Sequence, residues 1–160
     1  MDIRVGILTI SDSSSKGIRE DTSGDAIEEI VRSESFTVIY RNTLPDDRSL
    51  ISRKLAEWGD SGKVDLILTT GGTGLSPRDV TPEATMSVID NEVPGIVDVI
   101  RVKTSKNTPT SMLSRSVCGT RSGCLIINLP GSPNGVKEYL AVAIPVIPHA
   151  IEMISGSTDH

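Results

Sequence analysis

Besides the strand read at residues 36–44, three short runs, at residues 3–10, 64–70 and 124–129, are largely apolar and rich in β-branched residues. Each is too short for a core helix and too unbroken for a strand with one wet face. They therefore read as strands buried on both sides. Between them lie stretches of helical spacing: Ala26, Ile27, Ile30 and Val31, then Leu50, Ile51, Leu55 and Trp58. Strands alternating with helices predict a three-layer α/β sandwich, a mostly parallel sheet flanked by helices on both faces. Residues 117–121 and 124–129, joined by Ser122-Gly123, add a β-hairpin. A length of 160 residues predicts one domain over 1–160.

Sheets of this kind take ligands beyond the carboxyl ends of their strands. Four polar loops follow strands, at residues 11–17, 45–47, 71–79 and 130–132, so they are expected to meet at one rim. In the third, Gly71, Gly72 and Gly74 remove side chains where a strand opens, letting backbone N–H groups approach a phosphate. Thr73 and Ser76 lie in the same loop, Arg78 suits an anion, and Asp79 suits a metal ion or a reacting oxygen. The loop is neither a Gly-x-Gly-x-x-Gly nor a Gly-Lys-Ser/Thr P-loop, so neither standard mechanism applies.

Asp46 arrives on the second loop, and with Asp79 it makes a natural Mg²⁺ seat of two carboxylates completed by phosphate oxygens. Asp47 reads as a helix cap. Ser11 and Asp12 offer polar contacts from the first loop; Gly131 and Ser132 open a helix whose N-terminus faces the rim. Ser132 is the expected N-cap of that helix with Pro133 at its first position, and Thr81 with Pro82 opens an earlier one in the same way. These features point to phosphoryl chemistry on a nucleotide-like substrate.

Lys and Arg number 16 against 21 Asp and Glu, a net charge of −5, which argues against a nucleic-acid partner. Only Phe36, Tyr40, Trp58 and Tyr139 are aromatic, too few for a base-stacking platform. Cys118 and Cys124 match no metal spacing and read as small apolar residues on adjacent strands. His149, in an apolar helical stretch, reads as structural, and His160 is too isolated for a metal site. No run reaches the ~20 apolar residues of a membrane span and none resembles a signal region, so a soluble cytoplasmic protein is expected.

Residues 70–85, Thr-Gly-Gly-Thr-Gly-Leu-Ser-Pro-Arg-Asp-Val-Thr-Pro-Glu-Ala-Thr, resemble the signature of the MogA/MoaB family of molybdenum-cofactor biosynthesis. Thr9-Ile-Ser-Asp12, Leu44-Pro-Asp46 and Asn128-Leu-Pro-Gly131 extend the resemblance over nearly the whole chain. MoeA, gephyrin and CinA-like proteins carry related domains with a different sequence after the glycines, so Arg78-Asp79-Val80-Thr81 points to the MogA/MoaB branch. Asp47 and Arg48 depart from the acidic residue often found after the family's aspartate.

The resemblance implies a molybdopterin adenylyltransferase that joins molybdopterin to the AMP part of ATP and releases pyrophosphate. It implies Asp46 and Asp79 as catalytic carboxylates and Mg²⁺ partners. Ser11, Asp12, the 71–74 turn, Ser76, Arg78, Gly131 and Ser132 would then form the substrate pocket. It also implies a homotrimer or hexamer and a MoeA-like metal-insertion partner. A MoaB-type pterin binder without adenylyl transfer and a CinA-like nucleotide hydrolase stand as alternatives.

Overall fold

A computed structural model describes residues 1–157; His160 lies outside them. One six-stranded sheet runs through the molecule in the order β2-β1-β3-β6-β5-β4. Strands β1 (Arg4–Ile10), β2 (Thr37–Leu44), β3 (Leu66–Thr70) and β6 (Cys124–Leu129) are parallel. Strands β5 (Cys118–Arg121) and β4 (Asn91–Glu92) run antiparallel at one edge, β5 and β6 forming the expected hairpin. The two-residue β4 falls where the sequence suggests only a helix break. It forms because Asp90 N and Val93 N both reach β5 carbonyls.

Alternate residues of the parallel strands feed two separate cores, as the two-residue strand period requires. Val5, Ile7, Leu66, Leu68, Leu125 and Ile127 face α2 (Thr22–Ser33), α5 (Pro94–Ser105), α6 (Pro133–Ala143) and α7 (Ile147–Ile154). Leu8, Ile10, Ile67 and Ile126 face α3 (Arg48–Asp60) and α4 (Thr81–Met86). Cys118 belongs to the first core and Cys124 to the second, both as free thiols that burial pushes up to about 12. Each is inert as a nucleophile at that value.

Helix starts follow the sequence closely. Asp21, Asp47 and Ser132 accept from Gly24 N, Leu50 N and Gly135 N, the bond that an N-cap side chain is suited to make. Asn128 is fully buried in β6 and spans the layers. Its amide oxygen accepts from Val117 N, and its amide nitrogen donates to the hydroxyls of Thr69 and Thr85. Every polar atom of that side chain is used, so a buried amide is tolerated and the hairpin is tied to β3 and α4.

Candidate functional site

The carboxyl ends of β1, β2, β3 and β6 deliver all four polar loops to one rim. The loops are bonded to one another. Ser11 N donates to Leu44 O at 2.9 Å, Gly71 N to Leu129 O at 3.2 Å, and Thr70 Oγ1 to Pro130 O at 2.6 Å. A Cβ on Gly131 would lie 3.3 Å from the Gly71 Cα, so these two loops touch backbone to backbone.

Gly71 and Gly72 hold φ of 100° and 69°, the left-handed region where a side chain is strained. Space excludes one as well. A Cβ on Gly71 would sit 2.2 Å from Ile10 O, and one on Gly72 would sit 2.3 Å from Thr81 Oγ1. The N–H of Gly71 is consumed by Leu129, whereas those of Gly72, Thr73 and Gly74 donate to no acceptor among the described residues. Thr81 does not cap α4 as its sequence suggests. It lies inside the helix, fully buried, and its hydroxyl donates to Gly71 O at 2.9 Å while its N–H reaches Gly72 O. Burial beneath the turn recruits that hydroxyl away from the helix end.

The acids form a chain along the rim. Asp12 N donates to Asp46 Oδ2 at 3.1 Å, and Asp46 N returns a bond to Asp12 Oδ1 at 3.0 Å. Arg78 forks onto Asp12, with Nε 3.1 Å from Oδ2 and Nη2 2.8 Å from Oδ1. That guanidinium, helped by Asp46 N, holds the Asp12 carboxyl below the usual carboxylate range. Asp46 moves the other way. Burial raises it, with the negative charges of Asp12 and Asp79 adding to the effect. Its Oδ1 stands 3.2 Å from where a Cβ of Gly72 would be.

Asp79 is half-buried in the third loop. Its Oδ2 accepts from Ser76 N at 3.1 Å and would lie 2.9 Å from a Cβ on Gly74. Neither Asp46 nor Asp79 has an ion-pair partner among the described residues. No cluster of three or more His, Cys, Asp or Glu suited to a metal occurs among them either.

Several residues singled out from sequence are engaged within the protein. Arg78 is occupied by Asp12 rather than open to an anion. Ser11 caps α1 (Asp12–Ser15), a short helix where a plain loop is expected, by accepting from Ser14 N. Ser76 shapes the turn that carries Asp79, its N–H and C=O bonded to Asp79 Oδ2 and Asp79 N. His149 is exposed, with Nδ1 3.6 Å from Glu152 Oε2, so it supports no core.

A cleft of about 420 Å³ opens beside the turn. Gly72, Thr73, Gly74 and Asp79 line one side, and Gly131 and Ser132 another. Asp12 and Asp46 lie outside its lining, with Asp46 beside Gly72, so the glycine turn borders both an acidic edge and an open cleft.

Arg115 is the main element that sequence reading leaves out. Its backbone N–H donates to Thr73 O at 2.9 Å, Nε to Gly74 O at 2.8 Å and Nη2 to Asp79 O at 2.9 Å, while Nη1 pairs with Glu83. One side chain thus pins both ends of the loop bearing Asp79. No local pattern around residue 115 announces this, since its partners are carbonyls 36 to 42 positions away.

Residues 6–149 match the family model described as a probable molybdopterin binding domain. The molybdopterin adenylyltransferase of Helicobacter pylori (strain ATCC 700392 / 26695) is 41% identical over 157 residues, 97% of this chain and 89% of that protein. The molybdopterin adenylyltransferase of Escherichia coli (strain K12) is 41% identical over 140 residues, 86% of this chain and 72% of its own length. Among solved structures, the molybdopterin biosynthesis enzyme MoaB of Thermus thermophilus superposes with a TM-score of 0.91 at 47% identity, covering 96% of this chain and 97% of that one.

Proposed function

The chain belongs to the family of probable molybdopterin binding domains, and from that membership we propose that it transfers the AMP part of ATP to molybdopterin. A phosphate oxygen of the pterin attacks the α-phosphorus of ATP, the bond to the β-phosphate oxygen breaks, and pyrophosphate leaves with the electron pair. The observation that carries the reading is the placement of Asp46 and Asp79. They come from loops after different strands, stand on either side of Gly72 and Gly74, and have no ion-pair partner among the described residues.

Mg²⁺ suits this donor set. Each carboxylate has one oxygen occupied by a backbone N–H, from Asp12 and Ser76, and the other remains for a cation. The raised Asp46 carboxyl is a charge that such an ion would relieve. When bound, Mg²⁺ draws charge from phosphate oxygens as it builds up in the transition state. The chain itself supplies N–H donors at Gly72, Thr73 and Gly74, aimed by Arg115, and the N-terminus of α6 behind Gly131 and Ser132. Asp12, held ionised by Arg78, fixes the Asp46 backbone and keeps its carboxylate in place.

The test is pyrophosphate release from MgATP with and without molybdopterin. Pterin-dependent release is the expected result. Tight pterin binding with no ATP turnover would replace this reading with that of a carrier, and pterin-independent nucleotide cleavage would replace it with a hydrolase. The same reading includes a homotrimer or hexamer working in the cytoplasm with a MoeA-like metal-insertion partner. Exposed Val99, Val102, Val146 and Met153 on and around α5 and α7 support self-association. No helix of the described residues is long and apolar enough to cross a membrane. Sedimentation analysis that finds only monomers would remove the oligomer.

A further inference from the structure

Arg115 fixes the loop that bears Asp79, yet it stands on a segment with little support of its own. Residues 114–116 follow the 3-10 turn Pro109–Leu113 and precede β5, outside any strand or helix. Beyond the adjoining turn, and among the described residues, their backbone makes three bonds to the rest of the fold. Arg115 N donates to Thr73 O at 2.9 Å, and the carbonyls of Ser114 and Ser116 each accept from Nη1 of Arg101 at 3.2 Å. Ser114 is extended, with φ −66° and ψ 131°, and the bonds of the three residues alternate in direction as they do along a strand. The Arg101 guanidinium therefore stands where a neighbouring strand would be.

Arg101 is a quarter exposed and comes from α5, whose Val97 and Ile100 are buried in the first core. Nη1 has two hydrogens and gives both to these carbonyls, while Nη2 pairs with Asp98 at 2.9 Å. Thr104, three residues on and so on the same side of the helix, holds the turn before the segment. Its hydroxyl donates to Ile100 O at 2.7 Å and so accepts from Ser111 Oγ at 2.8 Å. A continuous path thus runs from α5 to the loop at the rim. Arg101 holds the carbonyls at 114 and 116, and Arg115 between them holds the carbonyls of Thr73, Gly74 and Asp79.

We propose that Arg101 is a positioning residue for the transfer reaction, holding the peptide carbonyls on either side of Arg115 so that Arg115 keeps the Asp79 loop in place. It touches no reacting group and acts only through Arg115. The assignment rests on the adenylyl-transfer reading for the reaction whose rate it sets. Catalysis depends on placing charged groups to a fraction of an ångström, so slack in residues 114–116 passes to Asp79 and is felt in rate more than in affinity.

Arg101→Met keeps part of the aliphatic stem and removes both bonds. Kinetics well below the melting temperature should show kcat lowered ~5-fold, with KM for ATP and for molybdopterin within about twofold of wild type. Because Arg101 acts through Arg115, the double variant with Arg115→Met should be no slower than Arg115→Met alone, a clear departure from additivity. Arg101→Lys still brings N–H donors to the carbonyls and should return kcat to within about twofold of wild type. Amide exchange followed by mass spectrometry reads the same relay without turnover. In Arg101→Met it should quicken at least ~5-fold at the bonded N–H groups of Arg115 and Ser76, while β1 and β3 keep their wild-type rates. Unchanged kcat in a destabilised Arg101→Met, or losses that multiply in the double variant, would make Arg101 a brace for the fold alone and overturn the proposal. Unchanged exchange at both amides would overturn it as well. If wild type releases no pyrophosphate but Arg101→Met still loosens both segments, the relay stands and the adenylyl-transfer reading falls.

Discussion

Asp46 at the carboxyl rim of the sheet and the arginine-paired acids elsewhere on the molecule live under opposite electrostatics. Away from the rim, three carboxylates held below their usual range sit against arginine. Asp65 is forked by Arg4, Asp60 by Arg121, and Glu28 is shared by Arg32 and Arg41, and all three are held below the usual range by those guanidinium groups. At the rim, one arginine serves two adjacent acids. Arg78 spends its fork on Asp12, and Asp46 is left with desolvation and like charge, which raise it. Two carboxylates brought to one rim from different loops, with no ion-pair partner among the described residues, are suited to hold something outside the chain.

The largest test of that contrast is Asp79→Asn, with Asp46→Asn beside it. Each is expected to cut pterin-dependent pyrophosphate release at least ~100-fold while the circular dichroism spectrum and oligomer size stay unchanged. Near-normal turnover in either variant removes that residue from the mechanism. Next comes Arg115→Met, which keeps some of the apolar bulk and removes the guanidinium from the carbonyls of Gly74 and Asp79 and from Glu83. Leaving those half-buried groups unpaired should cost about 2–3 kcal/mol of stability. Turnover should also fall roughly 10-fold, as expected when a site is misplaced by a fraction of an ångström. Lost stability with full kcat would make Arg115 a strut for the loop and no part of site geometry.

Much of this was readable from residues alone, for a physical reason. Parallel strands must all point their carboxyl ends to one edge, so naming the strands places Asp12, Asp46, Asp79 and Ser132 at a common rim without any contact being known. Caps are equally local, and Asp47 and Ser132 act at the positions their sequence assigns. What stays hidden depends on distance along the chain. Thr81 looks like a cap until the glycine turn covers it, and Arg78 looks free until Asp12, 66 residues earlier, folds against it. Arg115 and Arg101 carry no signature: one follows an irregular segment, and the other is an arginine on a helix like any solvent-facing one until Ser114 and Ser116 meet it.

A smaller effect tests the paired side. Asp65→Asn removes a carboxylate that accepts from both the backbone and side chain of Arg4. The pair is partly exposed, so solvent screening limits the loss to about 1 kcal/mol at neutral pH. The folded carboxyl titrates below its unfolded value, so its contribution is present above the unfolded pKa and disappears as pH falls through the folded one. The gap between wild type and Asp65→Asn measured by urea unfolding should therefore shrink below roughly pH 4. A gap that does not change with acid would show that the side chain acts by packing alone.

The smallest effect has the opposite sign. Asp46 titrates above its unfolded value, so ionising it costs stability once pH exceeds the folded pKa, and the cost vanishes below the unfolded one, where both states hold the proton. Asp46→Asn can still accept from Asp12 N with its amide oxygen, so the loop contact survives. The variant should unfold at slightly higher urea than wild type at neutral pH, and the two curves should converge below roughly pH 4. Added Mg²⁺ with ATP should then stabilise wild type more than the variant and reverse their order. If Asp46→Asn is instead less stable at neutral pH without ligand, Asp46 is a structural acid like Asp65, and the contrast between rim and flank fails at its central residue.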